Sequence, residues 1–170
     1  MRRRAALLLA ALASAGCASV PPASVGALTG RLSVRVEGAA PRHLSALFDL
    51  RGDATRGELA LSTPIGTTLA QARWQPGEVR LATPDGERRF ADLDALTREV
   101  LGESLPLAAL FDWLRGRPWA GAPSRPLAPA SGFEQLGWQV DLARFADGVV
   151  DARRGQPPPV SVRARLDSPG

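Results

Sequence analysis

One cysteine, one histidine and no lysine among 170 residues set narrow limits on the chemistry this chain can carry. A single thiol cannot form an intrachain disulfide framework. His43 falls on the polar phase of its segment, with no thiol or acid arranged beside it, and reads as a surface histidine. Without lysine there is no phosphate-cradling G-x-x-x-x-G-K-S/T loop, and no Cys/His pair has metal-ligand spacing. The formal net charge of +4 includes Arg2, Arg3 and Arg4, so the remainder is nearly balanced. A nucleic-acid binder needs clustered positive charge, which is missing here. These absences leave no enzyme, cofactor, metal or nucleic-acid reading to pursue.

The lone cysteine is informative through its position. Three arginines precede an apolar run at residues 5–15, and Leu12-Ala13-Ser14-Ala15-Gly16 leads directly into Cys17. A basic start, a short apolar stretch and small residues before a cleavage point make a secretory signal. The run falls well short of the roughly 20 residues that cross a bilayer as a helix. Its end resembles a bacterial lipobox, in which the cysteine is diacylated and becomes the new N-terminus. Residues 1–16 are therefore expected to be removed, and Cys17 is expected to carry lipid. One acyl chain anchors only marginally, at about 0.8 kcal/mol per buried methylene, so two or three are needed. Residues 17–27, small and uncharged with Pro21 and Pro22, read as a tether.

From Leu28 onward the apolar period becomes two. Leu32, Val34 and Val36 alternate with Arg31, Ser33 and Arg35; Leu44, Ala46, Phe48 and Leu50 alternate with His43, Ser45 and Asp49. Leu59 and Leu61 mark a third strand, residues 69–74 a fourth, and the turns at 75–78 and 83–86 lead into two more. Two helices follow. Asp92 or Asp94 caps one whose face holds Leu93, Leu96, Val100 and Leu101, with Gly102 as its stop. Pro106 opens the other, with Leu107, Leu110, Phe111 and Leu114 in one stripe, Trp113 beside it and Gly116 as the stop. A Pro/Gly/Ala-rich loop at 118–132 returns the chain to strands at 138–142 and 160–166. The layout is α+β, one strongly curved antiparallel sheet faced by helices over residues 28–170. Two short helices cover the sheet either completely, as a packed core, or incompletely, as a greasy cavity.

One turn is unusual. Residues 61–68 place Ile65 at a hairpin tip, where Asn, Asp, Gly or Ser is customary. Either Ile65 folds back onto the sheet, or it projects as an apolar probe toward lipid or a partner.

In combination, several of these segments resemble the LolB family of bacterial outer-membrane lipoprotein receptors. They are the lipobox ending in Cys17, the strand pair 30–36 and 44–50, and the tip Thr63-Pro64-Ile65-Gly66-Thr67. Leu105-Pro106-Leu107, Leu110-Phe111-Asp112-Trp113-Leu114-Arg115-Gly116 and Gly137-Trp138-Gln139-Val140 complete the set, and the likeness spans roughly residues 28–167. The resemblance implies an open, incomplete antiparallel β-barrel with a helical lid over a hydrophobic cavity. It implies a non-enzymatic role, in which acylated lipoproteins pass from a LolA-like periplasmic carrier into outer-membrane lipid. The domain is then a monomer, lipid-anchored in the outer membrane and facing the periplasm. Ile65, between Pro64 and Gly66, matches the family's membrane-inserting loop residue, and Ala18 looks like an outer-membrane sorting signal.

Wall candidates for the acyl-chain cavity are Leu32, Val34, Phe48, Leu50, Leu59, Leu61, Trp138 and Val140 on the strands. Leu107, Leu110, Phe111 and Leu114 are their counterparts on the lid. Ordinary core packing asks for the same residues. The late strand at 160–166 is expected to leave that edge of the barrel one strand short. Two other readings fit the same segments: a lipid-anchored binder of a different apolar ligand, or a non-enzymatic envelope assembly factor.

Overall fold

The computed structural model describes residues 26–168. Its strands are β1 (Leu28–Val36), β2 (Arg42–Gly52), β3 (Gly57–Ser62), β4 (Thr68–Gln75), β5 (Glu78–Thr83) and β6 (Gly86–Phe90). Helices α1 (Leu93–Leu101) and α2 (Leu107–Trp113) follow, and then β7 (Ser124–Pro126), β8 (Gly132–Gln135) and β9 (Trp138–Asp141). A short 3₁₀ turn at Phe145–Asp147 precedes β10 (Val149–Arg154) and β11 (Val160–Leu166). All pair antiparallel in a single 11-stranded sheet, ordered β6-β5-β4-β3-β2-β1-β11-β10-β9-β8-β7. Its two edges, β6 and β7, do not meet. The result is an open, barrel-like sheet.

Pairing of β11 with β1 corrects one expectation. The last strand lies in the middle of the sheet, from Gly30 opposite Leu166 to Val36 opposite Val160, and is no edge. Strand β10, unmarked in the sequence reading, continues the ladder on its far side. Gly30 makes the close central pairing possible, since a Cβ there would lie 2.1 Å from the Arg165 carbonyl oxygen.

Alternation places Val34, Val36, Phe48, Leu50, Val162, Ala164 and Val140 on one face, all buried, while Arg31, Arg35, Arg163 and Arg165 face water. Helix α1 is capped by the Asp92 carboxylate, which accepts the Ala95 N–H at 2.7 Å, and ends at Gly102 with φ 78°. Its buried side is Leu96, Thr97 and Leu101; Val100, expected on that face, is 41 % exposed in the last turn. Thr97 is buried because its hydroxyl accepts the Leu105 N–H at 3.0 Å, fixing the connection to α2. Helix α2 is buried through Ala109, Leu110, Phe111 and Trp113, so Trp113 belongs to the core rather than beside it.

Aromatic side chains tie the helices to both arms of the sheet. Trp74 of β4 meets Phe111 edge-on at 5.2 Å, and Trp113 packs on Trp138 and Phe133 at 6.0 and 6.3 Å. The Trp113 indole N–H donates to Oε1 of Gln135 at 2.8 Å, an atom that also accepts the Trp119 N–H at 2.9 Å. Gln135 Nε2 donates to the Trp119 and Ala122 carbonyls, both at 2.7 Å. This buried amide uses its whole hydrogen-bonding capacity to fasten α2, the 118–123 loop and β8 together. Gln135→Leu should therefore lower stability by about 3 kcal/mol in urea unfolding, because the buried Trp113 indole and three half-buried backbone groups lose their partner. An unchanged midpoint would mean that water replaces the amide.

Candidate functional site

Successive hairpins alternate between two ends of the sheet. The β1–β2, β3–β4, β5–β6, β8–β9 and β10–β11 turns share one end, here called the rim; the chain enters β1 at the other. The β3–β4 loop closes on itself at the rim. Gly66 N–H donates to the Thr63 carbonyl and Thr63 N–H to the Thr67 carbonyl, both at 2.9 Å, and Thr67 N–H reaches Thr63 Oγ1 at 3.1 Å. Gly66 takes φ 88°, a conformation a side chain would strain. With the backbone satisfied within the loop, Ile65 does not fold back: it projects and is 90 % exposed. The register shifts between Leu61 and Ser62, and Leu69, opposite that shift, is also 36 % exposed.

Below this tip the concave face is covered unevenly. Val34, Phe48, Leu50, Leu110, Phe111, Leu114, Trp138 and Val140 are buried in one cluster. Leu32, Leu59, Leu61 and Leu107 pack against it but stay partly open, as do Leu44 and Ala70. The pairing of Leu61 with Phe48 and Ala70, and of Leu59 with Leu50 and Ala72, makes the open residues neighbours. They form an aliphatic strip from the middle of β1–β4 up toward the Ile65 loop, and Leu107, in the first turn of α2, is likewise only partly buried. The buried wall residues close on one another. Two hollows, of about 750 and 500 Å³, lie away from this face: one on the polar outer face around Glu58, Arg73 and Arg80, one beside the β8–β9 tip.

The rim also carries a charged clasp that sequence reasoning missed. Arg154 occupies the last inward position of β10, 5.6 Å from the centre of the Trp138 ring. Its Nη2 donates to Glu103 Oε2 at 2.7 Å, in the α1–α2 connection, and the two side chains are 16 % and 24 % exposed. Arg154 Nε has no acceptor among the described residues. The run Val149-Val150-Asp151-Ala152-Arg153-Arg154 hides this residue, because two adjacent arginines read as surface.

Other candidates stay apart from the strip. His43 is exposed and meets only the Ser33 hydroxyl, at 3.4 Å. Cys17, Ala18 and the signal segment lie outside the described residues. Among the described residues no three His, Cys, Asp or Glu side chains gather as a metal site, and no helix is long and apolar enough to cross a membrane.

An open antiparallel half-barrel, with two helices laid across its apolar face and an aliphatic tip on its rim, is the class that fold and site define. The family model described as "Outer membrane lipoprotein LolB" matches residues 27–167. Among similar proteins, the outer-membrane lipoprotein LolB of Chromobacterium violaceum is 40 % identical, over 86 % of this chain and 86 % of its own length. That of Bordetella petrii is 38 % identical over 84 % of this chain and 80 % of its own, and that of Ralstonia nicotianae 33 % over 90 % of each. The chain belongs to the LolB family of outer-membrane lipoproteins.

The clasp can be tested directly. Glu103→Gln should cost about 1–2 kcal/mol, since a mostly buried guanidinium loses its counter-ion. Amide exchange at Leu105 should quicken with it. Unaltered stability and exchange would show that the ion pair does not hold the helices to the rim.

Proposed function

We propose that this protein accepts acylated lipoproteins from a soluble periplasmic carrier and releases them into the outer membrane, where acyl chains on Cys17 hold it. The observation that carries this reading is the continuity between the half-open aliphatic strip and the projecting Ile65. No covalent step is involved.

An acyl chain leaving a carrier for water loses about 0.8 kcal/mol per methylene, which makes free diffusion prohibitive. Direct handover onto the strip avoids that penalty. Leu32, Leu59, Leu61 and Leu107 make first contact. Val34, Phe48, Leu50, Leu110, Phe111, Leu114, Trp138 and Val140 become wall as α1 and α2 lift and the packed interior opens. Direction comes from a ladder of affinities, with the receptor holding lipid better than the carrier and less well than the bilayer. Steps of a few kcal/mol suffice. Ile65, presented between Pro64 and Gly66, enters the acyl region of the membrane and provides the apolar path out. The domain works as a monomer.

Ile65→Glu tests the path. The variant should fold and take cargo from the carrier normally, because the side chain touches no part of the core. Its delivery of cargo to vesicles should fall by roughly tenfold or more, the factor for withdrawing one large aliphatic side chain from lipid. Delivery at the parent rate would remove the loop from the mechanism.

A further inference from the structure

A second rim turn carries the same anomaly as the first. Leu136 and Gly137 form the two-residue tip between β8 and β9, with φ 55° and 77°. Such a turn needs positive φ at both positions and favours Asn-Gly. Leu136 is the one non-glycine residue with positive φ among the described residues, and it is 47 % exposed. Backbone conformation and solvation both argue against leucine here.

The setting tells what it meets. At the rim, the turn residues 38–41, 63–67, 136–137 and 155–159 hold no charged side chain; Glu37, Arg42 and Asp85 stand beside them, with the Glu103–Arg154 pair. The opposite end carries Asp53, Arg56, Asp92, Arg117, Arg144 and Asp147, all exposed. A protein surface steered by charge would use the second end; an apolar surface fits the first. The two aliphatic tips stand on the two arms of the sheet, with β2, β1, β11 and β10 between them.

We infer that Leu136 is a second lipid-contacting tip, so that the rim rests on the bilayer at two points rather than hanging from Ile65 alone. The inference extends the reading of Ile65 as the membrane probe. Two contacts on opposite arms would hold the open side of the half-barrel against the lipid surface, whereas one contact leaves the domain free to swivel about it.

Acylated Cys17 has no free thiol, so an introduced cysteine is a unique labelling site. Leu136→Cys, Ile65→Cys and, at the far end, Thr55→Cys would each carry an environment-sensitive dye in the full lipidated protein. The probe is a vesicle of phosphatidylethanolamine and phosphatidylglycerol with nitroxide-bearing acyl chains. Quenching at 136 and 65 but not at 55 is the expected result. Quenching at 65 alone overturns the second contact and leaves the insertion loop standing; quenching at neither removes both. Shielding of 136 only when carrier is added would make it a protein-docking tip and overturn the lipid assignment. Leu136→Asn supplies the residue this turn prefers. It should melt no lower than the parent, yet weaken vesicle quenching of a dye at 65 by about tenfold in partition. A lower melting temperature with unaltered quenching would reveal a structural leucine and end the proposal.

Discussion

Everything in this molecule hangs from the β1–β11 ladder. It joins the first and last strands at the centre of the sheet, and each arm then winds away from it through consecutive hairpins. The ladder depends on Gly30, where no side chain could fit beneath the Arg165 carbonyl. Because the arms end at β6 and β7 without pairing, closure of the apolar face falls to α1 and α2. A closed barrel would seal its interior with hydrogen bonds on every side; this one is covered by side-chain packing. The helices are held by this buried apolar packing together with specific contacts, among them Trp74–Phe111 and Glu103–Arg154.

The same residues must then satisfy two demands. Empty, the concave face is stable because Phe48, Leu50, Phe111 and Trp138 bury one another. On the proposed function, a loaded face would offer an acyl chain equivalent apolar contact, so lipid and lid would compete for one surface and affinity would stay moderate. A permanently hollow site would bind more tightly, since no packing would be lost on entry, and would release cargo to the membrane less readily. The half-open strip over β1–β4 gives the exchange somewhere to start.

Period-two patterning made most strands legible, because a half-buried strand must alternate whatever its neighbours are. It failed where the inward phase was polar. Arg154 and Gln135 point inward, at the last positions of β10 and β8, two strands that went unmarked. What makes those two residues tolerable inside, Glu103 and the carbonyls of Trp119 and Ala122, comes from distant segments that no local pattern announces. Val100 erred in the opposite direction: it has helical phase, but the last turn of α1 lacks a surface to bury it against. Ile65 could be read only as a choice between two fates. The decision rests on hydrogen bonds among Thr63, Gly66 and Thr67 that satisfy the loop without the sheet. Leu136 went unseen for want of a backbone angle. The wall residues were found by alternation, yet alternation does not distinguish a wall from a core.

The position of the chain's entry adds a geometric constraint. Leu28 begins β1 at the end opposite the rim, so the chain enters the sheet on the side away from Ile65 and Leu136. Strand β1, with 9 residues, covers about 30 Å. The segment between Cys17 and Leu28 spans at most about 35 Å when extended. On the proposed function, an anchor at Cys17 and the rim tips could engage one bilayer only with little slack between these two lengths. A domain acylated at Cys17, as proposed, would stay close to the surface it serves. On that proposal, the rim would turn outward to a carrier and back to lipid within that short radius, so transfer would be a reorientation rather than a journey.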